Sequence, residues 1–239
     1  MFNFIGCGSA FHTTLGNNGA YLKKDQTLYM IDCGSSTFHR LVAHNLLEDV
    51  KRIDILMTHT HPDHIGSLGD LIFYSYFKLN PAFTPKVTVI APKPLLEEVK
   101  AIASKMGVED LQVSWQEVST SSMFETFTIN PVSVEHAETL TCFGYEFIKG
   151  NERYYYSGDA NAIPDFILKQ LLKGNYTLFF QDTSGADYEG NVHLSLRELN
   201  ELIPPSYRAT VCCMHLDEAF PIEEARKSGY QLAIDSLIK

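Results

Sequence analysis

Four side chains of metal-ligand type fall within six positions of this sequence: His59, His61, Asp63 and His64. Imidazole nitrogens and a carboxylate oxygen suit zinc, and the same donors also serve manganese or iron. The group follows an apolar run over residues 53–57 that reads as a short buried strand, and the pattern from Ile65 onward reads as a helix. The donors therefore sit on the tight turn where a strand hands over to a helix, with Pro62 helping to set the turn. A solvated loop accounts for one such histidine, whereas four donors at this spacing point to a metal centre. Two divalent cations about 3.5–4 Å apart can share a water and a bridging carboxylate. His59 and His61 can serve one ion and Asp63 and His64 the other, which leaves each ion short of a donor and the pair short of a bridge.

Three candidates for those roles each end a predicted strand: His136, Asp159 and His215. Asp32 closes a strand over 27–31 that pairs as a hairpin with 20–24 across Asp25-Gln26. An aspartate beside a metal loop can orient a ligand histidine by accepting its free N–H; capping a helix from Ser35 onward is the alternative. His12 lies in the polar loop 10–18 and is a candidate substrate contact. Ser195 reads as the N-cap of a helix over 196–203, with Glu198 completing a capping box. The remaining strands are expected over 2–7, 87–91, 113–118, 123–134, 177–181 and 209–213, with a hairpin of 142–149 and 152–157. Helices are expected over 37–48, 65–79, 92–106, 163–173 and 222–228, and a short segment over 231–234 closes the chain. Large apolar residues on the 65–79 helix exceed one core-facing stripe, so core packing competes there with a subunit interface. No repeat or low-complexity linker interrupts the pattern, and one domain over residues 1–239 is expected.

Composition narrows the partners. The chain has 239 residues, 45% hydrophobic and 20% charged, enough to bury a sizeable core. A formal net charge of −10 and scattered lysines and arginines argue against a long nucleic acid. No apolar run approaches the roughly 18 residues that span a bilayer. Met1-Phe2-Asn3-Phe4-Ile5-Gly6 lacks a basic region and reads as a strand rather than a leader. The five cysteines show no metal-binding spacing, so buried free thiols in a reducing, cytoplasmic setting are expected.

The motif His59-x-His61-x-Asp63-His64 behind an apolar strand resembles the signature of the metallo-β-lactamase superfamily. That resemblance implies an α/β (α+β) fold, a four-layer αββα sandwich with two divalent metal ions, zinc first and manganese second, in a groove at the edge of its sheets. It implies further that His136 completes the first site, His215 completes the second, Asp159 bridges them, and Asp32 supports a ligand histidine. Asp63 would then take a proton from the attacking water. The β-lactamases of the superfamily carry a cysteine at the segment that here reads Ser157-Gly158-Asp159, so antibiotic hydrolysis is not expected.

The segments Asp182-Thr183-Ser184 and His193-Leu194-Ser195 resemble the part of the tRNA 3′-processing endonuclease (tRNase Z) group that holds an extra catalytic histidine. By that likeness His193 donates a proton to the leaving oxygen and Asp182, where the group usually has glutamate, orients it. The group clamps tRNA with a long basic arm between the third histidine and the bridging aspartate, and here the interval 136–159 holds only a hairpin. The chain looks instead like the short tRNase Z-related phosphodiesterases of the anti-Pycsar type, with His12 through Asn18 and His193-Leu194-Ser195 as local likenesses. The resemblance implies a homodimer that hydrolyses small cyclic nucleotides, such as cyclic CMP, UMP, AMP and GMP, to linear monophosphates, with His12 and Ser195 near substrate. An RNA-processing endonuclease, a thioester or lactone hydrolase, and a metal-free nucleotide-binding protein are the competing readings.

Overall fold

A computed structural model describes residues 2–118, 122–124 and 126–238; Glu125, within the strand expected over 123–134, lies outside the described residues. The first half runs β1 (Asn3–Gly6), β2 (Gly19–Lys24), β3 (Thr27–Ile31), α1 (Thr37–Ala43), β4 (Arg52–Leu56), α2 (Pro62–Ile65), α3 (Leu68–Lys78), β5 (Val87–Ala91), α4 (Lys93–Lys105) and β6 (Val113–Glu117). The second runs β7 (Ser122–Phe124), β8 (Phe127–Ser133), β9 (Phe143–Lys149), β10 (Glu152–Tyr156), α5 (Asp165–Leu171), β11 (Leu178–Asp182), α6 (Leu196–Leu202), α7 (Pro205–Arg208), β12 (Val211–Met214), α8 (Ile222–Lys227) and β13 (Gln231–Leu232). Among the described residues these make a six-stranded sheet in sequence order and a seven-stranded sheet ordered β13-β12-β11-β10-β9-β8-β7. Strands β3 to β6 are mutually parallel, as are β10 to β13, while β1–β2–β3 and β7–β8–β9–β10 run antiparallel.

The period-2 alternation of the strands decides the layering. In β4, Ile53 and Ile55 join Leu41, Leu68, Leu71 and Leu95 of the helices on one side, whereas Leu56 faces the other way. In β11, Phe179 meets Ile167, Leu171 and Leu199, whereas Leu178 and Phe180 face the first sheet. Between the sheets lies a core rich in aromatic rings, including Phe2, Phe4, Phe127, Tyr145, Phe147 and Phe180. The layers are therefore helix, sheet, sheet, helix, as the motif implied.

Three elements depart from the sequence reading. Helix α1 stops at Ala43, because Asn45 takes a left-handed φ of 57° that ends the expected 37–48 helix. The expected strand 123–134 is a hairpin, with Phe124 paired to Phe127. The 65–79 helix is two pieces, α2 starting at Pro62, where its missing N–H is no loss, and α3. Most of the apolar excess on α3 is core: Leu68, Leu71, Ile72 and Tyr76 are buried, and only Phe77 is exposed.

The polar strand ends converge on one edge. Asp32, His59, Asp159 and His215 follow the carboxyl ends of parallel strands and Asp182 ends one, the usual place for a site in such sheets. Two bonds between the sheets hold the turn after β4 in place: Phe143 N–H donates to Thr58 O at 2.9 Å and the Tyr145 hydroxyl to Met57 O at 2.5 Å.

Candidate metal centre

All seven donors named from the sequence come together. His59, His61, His136 and Asp159 form one group, and Asp63, His64, Asp159 and His215 form another, the donor atoms of each lying within 4.8 Å of one another. Asp159 belongs to both. In the first group His61 Nδ1 lies 3.1 Å from His59 Nε2 and 3.1 Å from His136 Nε2. Donors on one tetrahedral zinc lie about 3.3 Å apart when the metal–nitrogen bonds are about 2.0–2.1 Å long. In the second group His64 Nε2 is 3.4 Å and His215 Nε2 3.3 Å from Asp63 Oδ2. Asp159 presents Oδ1 to His64 Nε2 at 3.2 Å and Oδ2 to His215 Nε2 at 3.3 Å, with His59 and His136 at 3.8 and 3.7 Å.

The geometry fits divalent cations on three further counts. His64 Nε2 and Asp159 Oδ1 are fully buried and face only each other, at 3.2 Å, an arrangement that needs either a proton or a cation between them. Without a cation, protons take its place. Burial opposes charge on His215, yet Asp159 and Asp182 override it and push its pKa up to about 10. The same contest, won by Asp159 and Asp32, raises His64 well above the ordinary histidine range. Third, no lysine or arginine lines the adjoining cavity of about 540 Å³, so an anion entering it finds no fixed positive side chain among the described residues.

The other ring nitrogens are fixed by partners, which sets the tautomers. His64 Nδ1–H donates to Asp32 Oδ2 at 2.8 Å and His136 Nδ1–H to Val192 O at 2.8 Å. Thr58 donates its hydroxyl to Asp32 Oδ2 at 2.7 Å and its backbone N–H to Oδ1 at 2.8 Å, leaving its oxygen to accept from His59 Nδ1 at 3.1 Å. Asp32 thus supports two histidines, one of them through Thr58. Neither Thr58 nor Val192 was foreseen; Thr58 is signalled only by its place directly before His59. Replacing Asp32 with alanine is expected to weaken metal binding about 10–100-fold, the usual effect of losing such a partner. Competition against a chelator of known affinity measures it, and unchanged affinity would remove Asp32 from the site.

Backbone geometry brings the strand ends this close. A Cβ on Gly34 would lie 1.9 Å from Asp63 O, and one on Gly158, at φ 61°, would lie 2.7 Å from Phe143 O. Both positions need glycine for the chain to pass so near the metal turn and Asp159.

Asp182 does more than the sequence indicated. Its Oδ2 accepts His193 Nδ1–H at 2.6 Å and Ala160 N–H at 2.9 Å, while Oδ1 lies 3.4 Å from His215 Nδ1. One carboxylate therefore positions both His215 and His193, whose rings stack at 4.8 Å. Burial disfavours the charged His193 ring, but the Asp182 charge and hydrogen bond outweigh it and raise its pKa above the ordinary value. Two expected substrate contacts lie elsewhere. His12 is absent from the cavity wall and donates Nδ1–H to Leu216 O at 3.0 Å, while its neighbour Phe11 lines the cavity. Ser195 is buried and caps α6, accepting Glu198 N–H at 3.2 Å.

A family model described as Anti-Pycsar protein Apyc1 matches residues 1–235. The anti-Pycsar protein Apyc1 of Bacillus phage BSP38 is 28% identical over 237 residues, covering 90% of this chain and 88% of its own. Among solved structures, the metallo-β-lactamase fold protein YhfI from Bacillus subtilis superposes with a TM-score of 0.74 at 17% identity, over 97% of this chain and 94% of its own. Human tRNase Z, short form (ELAC1), gives 0.67 at 15% identity over 97% and 94%. The structural likenesses establish the fold as that of the metallo-β-lactamases.

Proposed function

The chain belongs to the anti-Pycsar protein Apyc1 family, and from that premise we propose that it is a metal-dependent phosphodiesterase acting on small cyclic nucleotides. The observation that carries this reading is Asp159 shared between two donor groups, beside a histidine that Asp182 holds at the cavity wall. His59, His61 and His136 would hold one ion and Asp63, His64 and His215 the other, with Asp159 between them. Zinc suits this nitrogen-rich set best, and manganese is the alternative. When bound, such ions supply charge stabilisation at a phosphoryl oxygen and acidify water to a pKa of about 7.

The chain's own groups complete the reaction. Asp63, at the cavity wall beside His215 and His64, orients the attacking water and accepts its proton. His193 has Nδ1 committed to Asp182, so Nε2 is the ring atom left to protonate the leaving ribose oxygen. The product is a linear monophosphate.

Substrate size follows from the interval between His136 and Asp159, which holds only the β9–β10 hairpin and no basic arm that would grip tRNA. A compact diester fits both that omission and the 540 Å³ cavity. The proposal includes a homodimer and a cytoplasmic setting in which cyclic-nucleotide defence signals are removed.

Incubation with cyclic CMP, UMP, AMP and GMP and with cyclic dinucleotides tests it. Linear monophosphates should accumulate, chelator should reduce turnover to background, and zinc or manganese should restore it. Turnover of none of them, with cleavage of a tRNA precursor or a thioester instead, sinks the proposal.

A further inference from the structure

Two aromatic rings on the wall of the metal cavity are left unexplained by folding. Phe11 is 86% exposed and Tyr188 62% exposed, and both line the cavity that contains Asp63, Asp159 and His193. Among the described residues neither ring stacks on another aromatic side chain.

The loops that carry them are tightly anchored, and the anchor is the segment that delivers His215. Leu216 O accepts from Ser9 N–H at 3.0 Å and from His12 Nδ1–H at 3.0 Å, fixing both neighbours of the Ala10–Phe11 tip. Asp217 Oδ2 accepts from the Ser184 hydroxyl at 2.6 Å and Gly185 N–H at 2.7 Å, fixing the loop that leads to Tyr188. On that loop Asn191 donates Nδ2–H to Ala186 O at 2.9 Å and accepts His193 N–H at 3.1 Å. The two rings are therefore held in register with a metal donor and with the residue placed to donate a proton.

Polar side chains on the same wall are largely committed to the protein. Ser35 donates to Pro62 O at 2.9 Å, Ser184 donates to Asp217, and both ends of the Asn191 amide are in use. What the wall offers a ligand beyond the metal donors is chiefly the flat faces of two aromatic rings. Flat aromatic faces exposed beside a phosphate-binding centre suit a nucleobase, whose own face stacks whatever its hydrogen-bonding edge.

We propose that Phe11 and Tyr188 form the stacking platform for the base of the bound cyclic nucleotide, with His12 and Asp217 as the residues that position it. This rests on the phosphodiesterase reading and goes beyond it by assigning where the base lies. The phosphate sits among the histidines and aspartates, and the base extends over the exposed rings.

Steady-state kinetics of Phe11→Ala and Tyr188→Ala test the assignment with cyclic CMP, with cyclic AMP, and with the base-free 1-O-methylribose 3′,5′-cyclic phosphate. Each alanine variant should raise KM for the nucleotides about tenfold, from the loss of one stacking face, while kcat and the kinetics of the base-free diester stay at wild-type values. Phe11→Trp and Tyr188→Phe should retain wild-type KM, which separates stacking from a hydroxyl contact. Unchanged nucleotide KM in both alanine variants overturns the platform. So does an equal loss on the base-free diester together with a changed sedimentation coefficient, which would make the rings a subunit contact. A wild-type enzyme inert toward every cyclic nucleotide brings down the phosphodiesterase reading itself, an outcome distinct from either.

Discussion

Asp159→Ala is expected to abolish cyclic-nucleotide turnover, by at least about a thousandfold, and to destabilise the metal-free protein. The first half of that expectation follows from position. Asp159 is the one carboxylate in both donor groups, with Oδ1 at 3.2 Å from His64 Nε2 and Oδ2 at 3.3 Å from His215 Nε2. Losing a residue that merely supports a ligand costs about 10–100-fold, and losing a donor to two ions at once should exceed that. The second half follows from burial. Burial works to neutralise Asp159, and the charges of His215 and His64 hold it ionised well below the usual carboxylate range. Its Oδ1 has no partner besides His64, so in the absence of cations it is a buried charge satisfied only by protonated neighbours.

Alanine there should lower the metal-free melting temperature, because the buried charges on His64 and His215 lose the carboxylate that offsets them. Saturating zinc stabilises only what it binds in the folded state, so the zinc-induced rise in melting temperature should be large for wild type and nearly absent for the variant. Metal analysis should show the ion content per chain falling in parallel. A variant that keeps its full metal content and its zinc-induced stabilisation would remove Asp159 from the bridge.

How much of this was legible in the sequence depends on the range of the contacts. The turn from His59 to His64 was readable because its donors are local and a strand–turn–helix needs only a few residues of pattern. Ser195 and Glu198 form their capping box as their spacing indicated, and that same local logic commits the Ser195 hydroxyl to the helix end. His136, Asp159 and His215 could be named as candidates at predicted strand ends, but their separate roles came only through the resemblance, since no period in the chain says that three distant strand ends share one edge. The double task of Asp182 was not legible, because it depends on β11 and β12 being parallel neighbours with Asp182 opposite Met214. His12 misled for a related reason. Its residue type suggested chemistry, while its carbonyl partner lies 204 residues away on Leu216. Phe11 beside it carries no chemical signal at all and becomes notable only through its exposure at the cavity.

His193→Ala is expected to lower kcat on cyclic nucleotides by about 10²–10⁴-fold, the range over which a positioned acid acts, with little change in KM. The leaving ribose oxygen is strongly basic and departs poorly without a proton. Asp182 lies 2.6 Å from His193 Nδ1 and raises the pKa of the ring despite burial, so the imidazolium is available to donate near neutral pH. A diester that leaves as p-nitrophenolate needs no such proton, and its hydrolysis by the variant should fall by less than about tenfold. That contrast separates proton donation from a structural role, which matters here because the His193 ring stacks on His215 at 4.8 Å. Metal content should be unchanged in the variant. If both substrates slow equally and metal is lost with them, His193 acts by propping up His215, and the proton must reach the leaving oxygen from elsewhere.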